Sequence, residues 1–203
     1  MTPRNILVAI GLAAVLAAGV LLALRMQTPA EPQYAFILPA PDPVPEFSLD
    51  DQHGKPADQT VFEGQWDLVF FGFTHCPDIC PAGLQVITAA LDKLGPRAGK
   101  IAPLFITVDP ERDTPAQMKS YVASFHPSVT GLTGSGEDIS AVAKAYRVYY
   151  RKAQNQDLSE YTMYHTSFMY LMDAEGRFIN HFPHAVMPDK LVERLEAELT
   201  LLQ

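Results

Sequence analysis

The sequence predicts an α/β domain carried behind a single membrane-spanning helix, and three observations point there. Residues 6–24 form one unbroken apolar segment, and strand-like and helix-like patterns alternate from residue 47 onward. Two continuous apolar runs, Asp67–Thr74 and Ile101–Val108, read as strands buried on both faces. A chain of 203 residues with 48% hydrophobic content can bury a sizeable core and does not have the composition of a disordered protein. With 15 Lys and Arg against 23 Asp and Glu, a formal net charge of −8, it presents no broad basic field for a phosphate backbone. A nucleic-acid partner is not expected.

The N-terminal segment contains only Ile, Leu, Val, Ala and Gly over residues 6–24. As a helix it rises about 28 Å, close to the roughly 30 Å hydrocarbon core of a bilayer. Arg4 and the amino terminus flank one side and Arg25 the other, a weak asymmetry consistent with a cytoplasmic N-terminus and an exported body. A cleaved signal peptide is the alternative. The run exceeds the roughly 7 to 15 residues of a signal h-region, and no small-x-small site follows Leu24, so an uncleaved anchor is favoured. No cysteine stands at its end to take a lipid. Residues 1–25 hold two arginines and no acid, so the remainder carries 13 basic and 23 acidic residues, net −10. From Thr28 to Pro45 six prolines favour extended backbone and make a spacer, within which the apolar Tyr34–Leu38 could lie across the domain. The expected division is an anchor over 1–27, a Pro-rich linker over 28–45 and a folded domain over 46–203.

Within the domain, Phe47–Leu49 followed by a turn at Gln52–Lys55 predicts a short opening hairpin. The strand Asp67–Thr74 leads into a helix over Pro81–Leu94, with Leu84, Ile87, Leu91 and Leu94 on one face and Gly95-Pro96 as its stop. After the strand Ile101–Val108, Thr114-Pro115 marks the N-cap and first turn of a helix reaching about Phe125. Val129–Leu132 reads as a short strand, and Ser135-Gly136-Glu137 opens a helix with Ile139, Val142, Ala143 and Tyr146 on one face. Val148–Arg151 and Ser167–Met172 read as strands. A turn at Asp173–Gly176 leads to Phe178–Phe182, and Pro188–Leu202 closes the chain as an amphipathic helix. A final β-hairpin followed by a helix makes a thioredoxin-like arrangement the leading candidate.

Chemistry in open α/β sheets gathers at loops after strand C-termini, and Thr74-His75-Cys76-Pro77-Asp78-Ile79-Cys80-Pro81 occupies such a place. Cys76 and Cys80 are the only cysteines, which excludes a disulfide scaffold. Because each precedes a proline, Pro81 is expected at the first helical position and Cys80 at the N-cap, where backbone N–H groups favour thiolates. A structural disulfide across so short a loop would be a poor staple. Two thiolates with an imidazole suit monovalent copper, with zinc the competitor. Of the six histidines, His75 is expected behind the cysteines rather than as a ligand, His53 and His126 at solvated turns, and His181 and His184 on the surface. His165 precedes a strand, and spacing alone does not select it. Asp109, ending the second buried strand, is a candidate to tune the thiols from behind or, equally, to cap the turn over Pro110–Asp113. Met163, Met169, Met172 and Met187 read as core filler.

Four blocks in order, FFGFTHCPDICP over 70–81, ITVDPERDTP over 106–115, AYRVYY over 145–150 and HTSFMYLM over 165–172, resemble the signature segments of the Sco/SenC family of membrane-anchored copper chaperones. The resemblance covers nearly the whole exported domain; before residue 46 it is one of general plan. It implies a thioredoxin-like fold, with Cys76, Cys80 and His165 matching the family's ligands for Cu(I) and Cu(II). It also implies a role in building the dinuclear copper centre of cytochrome c oxidase, with an upstream copper donor and the copper-receiving oxidase subunit as partners. The expected location is the inner membrane, with one span and the domain on the periplasmic side. In thioredoxin-type oxidoreductases a cis-proline faces the cysteines, whereas Tyr164-His165-Thr166 carries an imidazole there. Two function classes follow: a metallochaperone, and a thiol–disulfide oxidoreductase that reduces the receiving partner's cysteines. A peroxidase fits less well, since both cysteines share one loop beside a candidate ligand.

Overall fold

A computed structural model of the chain describes residues 19, 47–58, 60, 64–154 and 161–200. The chain separates into two units, Met1–Ile37 and Leu38–Gln203. The expected anchor, apart from residue 19, and the whole of the linker lie outside the described residues. Among the described residues no helix is long and apolar enough to cross a membrane.

The second unit is an α/β sandwich around a seven-stranded sheet. Its strands are β1 Ser48–Asp51, β2 Pro56–Asp58, β3 Trp66–Gly72, β4 Ile101–Thr107, β5 Thr130–Thr133, β8 Phe168–Met172 and β9 Phe178–Pro183, in spatial order β2-β1-β5-β4-β3-β8-β9. The centre, β3–β4–β5, is parallel, while β1–β5, β1–β2, β3–β8 and β8–β9 are antiparallel. Every residue of β4 and nearly all of β3 is buried, as their unbroken apolar sequences require of strands covered on both faces. The helices are α1 Ile79–Leu94, α2 Pro115–Val122, α3 Gly136–Ala145 and α4 Pro188–Thr200. On α1, Cys80, Gly83, Leu84, Ile87, Ala90, Leu91 and Leu94 form the buried stripe. The Thr114 and Ser135 side chains cap α2 and α3 by accepting from the Gln117 and Asp138 amides. The β3–α1–β4 crossover and the terminal β8–β9–α4 unit give the thioredoxin-like plan.

Several boundaries differ from the sequence reading. Helix α1 begins at Ile79, with Asp78 as N-cap, not at Pro81 with Cys80 as N-cap. Cys80 and Pro81 therefore lie inside the first turn, where backbone N–H groups have no intrahelical acceptor and proline's missing one costs nothing. Helix α2 ends at Val122 rather than near Phe125, because Ser124 and Phe125 donate to carbonyls three residues back and tighten the chain into turns. The expected strand at Val148–Arg151 begins at Tyr150 instead: β6 spans Tyr150–Gln154 and pairs antiparallel with β7, Tyr161–His165, as a separate two-stranded arm. The sequence reading did not foresee β7. Residues 201–202 of the expected last helix lie outside the described residues. Met163, Met169 and Met172 are core residues as expected, but Met187 is 66% exposed because it precedes α4 on the surface.

The arm leaves the body through an unusual turn. Arg147, at φ 55°, is the only non-glycine in the left-handed region among the described residues. The Val148 and Arg147 amides donate to the Ala143 and Lys144 carbonyls, closing α3 with a Schellman turn that glycine normally makes.

Candidate metal centre

The site forms where β3 ends and α1 begins. Gly72 is needed there for space: a Cβ at this position would stand 2.8 Å from Cys80 Sγ and 2.5 Å from the Phe105 ring. Cys80 is fully buried, Cys76 is half-buried, and both are free thiols. The Cys80 amide donates to Cys76 Sγ at 3.4 Å, so the sulfur takes the capping place at the helix entrance that the Asp78 side chain leaves unused.

The two sulfurs are therefore unequal. A hydrogen bond from the Cys80 thiol is the largest cause lowering Cys76, opposed by burial and aided by His165 and the Cys80 and Asp78 amides; its thiol falls from 9.0 to about 4. Cys80 is pushed well above the ordinary thiol range by donating that bond, by burial and by the Cys76 charge. The thiolate expected at Cys80 falls instead on Cys76, which lies at the mouth facing the helix amides, and Cys80 keeps its proton below it.

The third expected residue, His165, comes to this place from the end of β7. Its Nε2 lies 3.5 Å from Cys80 Sγ. Its Nδ1 lies 3.0 Å from the Thr166 carbonyl, which can only accept, so Nδ1 carries a proton and Nε2 is the ring nitrogen that faces the sulfurs. The Phe73 ring packs edge-on against the imidazole at 5.9 Å between centroids. Among the described residues no group of three or more His, Cys, Asp or Glu side chains is arranged to hold a metal ion. The two sulfurs and Nε2 are spaced as hydrogen-bond partners, with the imidazole and Cys76 at the accessible edge.

Asp109 does not face the thiols. Its carboxylate accepts from Arg112 Nε at 2.5 Å and from the Tyr161 hydroxyl at 2.7 Å, and its carbonyl accepts from the Arg112 and Asp113 amides. Both readings weighed for it from sequence are thus modified: it starts the turn through its backbone, and its side chain reaches the arm. The acid that underlies the cysteine loop is Asp113, fully buried and absent from the sequence candidates. It accepts from the Thr74 amide at 3.0 Å, the Thr74 hydroxyl at 2.6 Å and the Thr107 hydroxyl at 2.6 Å. A TxxxxxD spacing over 107–113 was visible in the sequence, but nothing in it told a network anchor from an ordinary turn acid. His75 is exposed, with Nδ1 3.1 Å from Thr74 Oγ1 and 3.7 Å from Asp113 Oδ1. The Tyr121 hydroxyl, buried with no hydrogen-bond partner among the described residues, is held protonated chiefly by burial and further by the negative charge of the cysteine pair and Asp113.

The remaining histidines stay away from the site in the contacts they make. His53 is exposed. His126 is not freely solvated, since its Nδ1 lies 2.7 Å from Ser128 Oγ in a tight turn. His181 is half-buried between Phe168 and Phe178, a packing role rather than a surface one.

The SCO1/SenC family model matches residues 38–200, from the end of the linker through the last helix. The chain belongs to the SCO1/SenC family. Within that family it is 44% identical over 154 residues to the mitochondrial protein SCO1 homolog 1 of Arabidopsis thaliana, covering 75% of this chain and 46% of that one. The chain spans roughly half the length of the curated SCO1 and SCO2 relatives it first matches, 46% to 61%. Two solved Sco structures share its fold: Arabidopsis thaliana ScoI with copper bound, at 43% identity and TM-score 0.73, covering 77% of this chain and 98% of that one, and Bradyrhizobium japonicum ScoI with copper bound, at 42%, 0.71, 76% and 98%. The thioredoxin-like plan is thus that of Sco proteins.

Proposed function

We propose that this chain is a membrane-anchored copper carrier that takes up Cu(I) and Cu(II) through Cys76 Sγ, Cys80 Sγ and His165 Nε2. It serves assembly of the dinuclear copper centre of cytochrome c oxidase. One observation carries the reading: a low-pKa thiolate, a second sulfur and an imidazole nitrogen converge at the mouth of one loop. Two soft sulfurs and one imidazole are the donor set that monovalent copper favours. The 3.5 Å between Cys80 Sγ and Nε2 is the span that zinc-type bonds of about 2.3 Å and about 2.0 Å leave at an angle near 110°, so the spacing admits a metal ion and the donor chemistry, not the distance, favours copper. That two Sco relatives hold copper supports the choice of metal over zinc.

In this reading residues 1–27 fix the carrier in the inner membrane, residues 28–45 hold the domain off the bilayer, and residues 46–203 face the exported side. Copper arrives from a donor protein and leaves by ligand exchange to the copper-receiving oxidase subunit, the half-exposed Cys76 and His165 being the donors an incoming partner can reach. Anaerobic titration of the reduced full chain with Cu(I), against a chromogenic chelator, is expected to give one tightly held ion. X-ray absorption at the copper edge is expected to count two sulfurs and at least one nitrogen. His165→Ala should weaken binding about 10- to 100-fold while dithiol–disulfide cycling survives. An unchanged affinity in that variant would overturn the three-donor set.

A second reading is favoured by the inequality of the thiols. As a reductase, the Cys76 thiolate attacks a partner's disulfide and forms a mixed disulfide, expelling one partner sulfur as thiolate. Cys80 then gives up its proton and attacks Cys76 Sγ, expelling the second partner sulfur. The pair supplies two electrons and ends as a disulfide, which cannot hold copper. Absence of tight Cu(I) binding in the titration above would leave this reading alone.

A further inference from the structure

The arm that bears His165 is not part of the seven-stranded sheet; the sheet fixes its C-terminal end, where β8 begins three residues after His165, and leaves its N-terminal end to be held by other contacts. Period two along β7 places Tyr161, Met163 and His165 on one face and Tyr164, 56% exposed, on the other. At the C-terminal end of β7 the Thr166 amide donates to the Tyr149 carbonyl at 2.9 Å and the Tyr149 amide to Thr166 Oγ1 at 3.1 Å, after which the Ser167 carbonyl accepts from the His184 amide and the chain enters β8. At the N-terminal end it is tied to the body through Arg112. The guanidinium donates from Nη1 to the Tyr161 carbonyl at 3.1 Å and lies 3.9 Å from the centroid of the Tyr161 ring. Its Nε donates to Asp109, which also accepts from the Tyr161 hydroxyl. The same guanidinium lies 5.9 Å from the centre of the Phe73 ring, which packs against His165. Asp109 is 1% exposed, so this ion pair is shielded from water and its geometry is closely determined.

We infer that Asp109, Arg112 and Tyr161 are positioning residues that clamp the β6–β7 arm to the loop after β4 and so set the place of His165 over Cys76 and Cys80. None of the three approaches the donor atoms; they act through the strand and through Phe73. The loop over 109–113 thereby serves both halves of the site, Asp113 holding the cysteine loop and Asp109 with Arg112 holding the histidine arm. This inference rests on His165 being a copper donor. Restraining one donor on an arm lowers what binding must spend on ordering it, so removing the restraint weakens the ion's hold without removing a ligand.

The test is a double-mutant cycle in the full chain, reduced and anaerobic, read by Cu(I) competition. Arg112→Met keeps length and loses both hydrogen bonds; it is expected to weaken Cu(I) binding about tenfold and to weaken it no further when added to His165→Ala. Additive losses, or no loss in Arg112→Met, overturn the clamp. If Arg112→Met does not fold, Tyr161→Phe, which keeps the ring beneath the guanidinium, is read in the same cycle with a smaller loss and the same non-additivity. A metal-free measurement separates the clamp from the ligand set. In the histidine nitrogen resonances of the intact protein His165 should show one ordered Nδ1–H tautomer, and in the clamp variants an averaged ring. If His165→Ala leaves affinity unchanged, the donor set fails, and this resonance pattern alone decides the clamp: an ordered ring in the variants overturns it.

Discussion

At the scale of single residues the site is governed by a division of labour between two chemically identical side chains. Cys76 faces amides and a donor thiol and is lowered to about 4, whereas Cys80 is sealed beneath it and raised. The lowered value means that the Cys76 thiolate favours the folded state above the ordinary thiol range, and that this contribution is lost as pH falls through about 4. Alkylation of the reduced protein by iodoacetamide should therefore proceed at Cys76 with a nearly constant rate from about pH 8 to about pH 5, where an ordinary thiol slows about tenfold per pH unit. Cys80 should stay unmodified until the protein is unfolded. A Cys76 rate that falls with each unit below pH 8 would show that the helix amides and Cys80 do not hold the thiolate. Sequence alone marked both cysteines as reactive, because proline spacing and a helix start are legible in one dimension. Which sulfur is covered is not, since that depends on how far Gly72 and Phe105 let Cys80 sink into the sheet.

At the scale of elements, the ends of β3 and β4 are tied together by one buried carboxylate. Asp113 satisfies the Thr74 amide and the hydroxyls of Thr74 and Thr107, and its own carbonyl accepts from the Thr133 hydroxyl at the end of β5. Replacing it leaves several buried donors without partners, which costs roughly 1–3 kcal/mol for each group that finds no water. Asp113→Ala is expected to lower stability by about 3 kcal/mol in denaturant melts, and to speed hydrogen exchange at the Thr74 amide more than at the centre of β4. Equal protection at Thr74 in both proteins would remove Asp113 as the tether of the cysteine loop. Helices α1 and α4 lie side by side; the exposed Lys93–Asp189 pair between them, and the Arg97–Glu196 pair from the tight helical turn after α1 to α4, add little by comparison. The strands and helices with strong periodicity were legible in sequence to within a few residues. Strand β7 was not, because a five-residue strand in a two-stranded arm has neither a long apolar run nor a flanking turn signature to announce it.

At the scale of the whole molecule, stability is set around β3, and one acid there works against it. Asp67, early in that strand, has a buried Oδ1 with no hydrogen-bond partner among the described residues, and burial raises its carboxyl from 3.8 to about 7. A folded-state value above the unfolded one means stability that is full below about pH 4 and is lost as pH rises through about 7. Asp67 should therefore contribute a loss of about 4 kcal/mol between about pH 4 and about pH 8, opposite in sign to the gain from Cys76, and Asp67→Asn should remove it, read as the difference between the two proteins' denaturant midpoints across the range. A slope unchanged in the variant would place the titration elsewhere. The sequence by itself determined the α/β class, the succession of the main elements, the reactive cysteine loop and the resemblance that singled out His165. These are written in periodicity, in proline and glycine punctuation and in short motifs, all local along the chain. Only the tertiary structure decided that Cys76 rather than Cys80 holds the thiolate, that Asp113 underlies the loop, and that Asp109 reaches the histidine arm through Arg112 and Tyr161. Each of these depends on groups distant in sequence meeting at one sheet edge, where burial and a handful of hydrogen bonds, not local propensity, fix what each side chain can do.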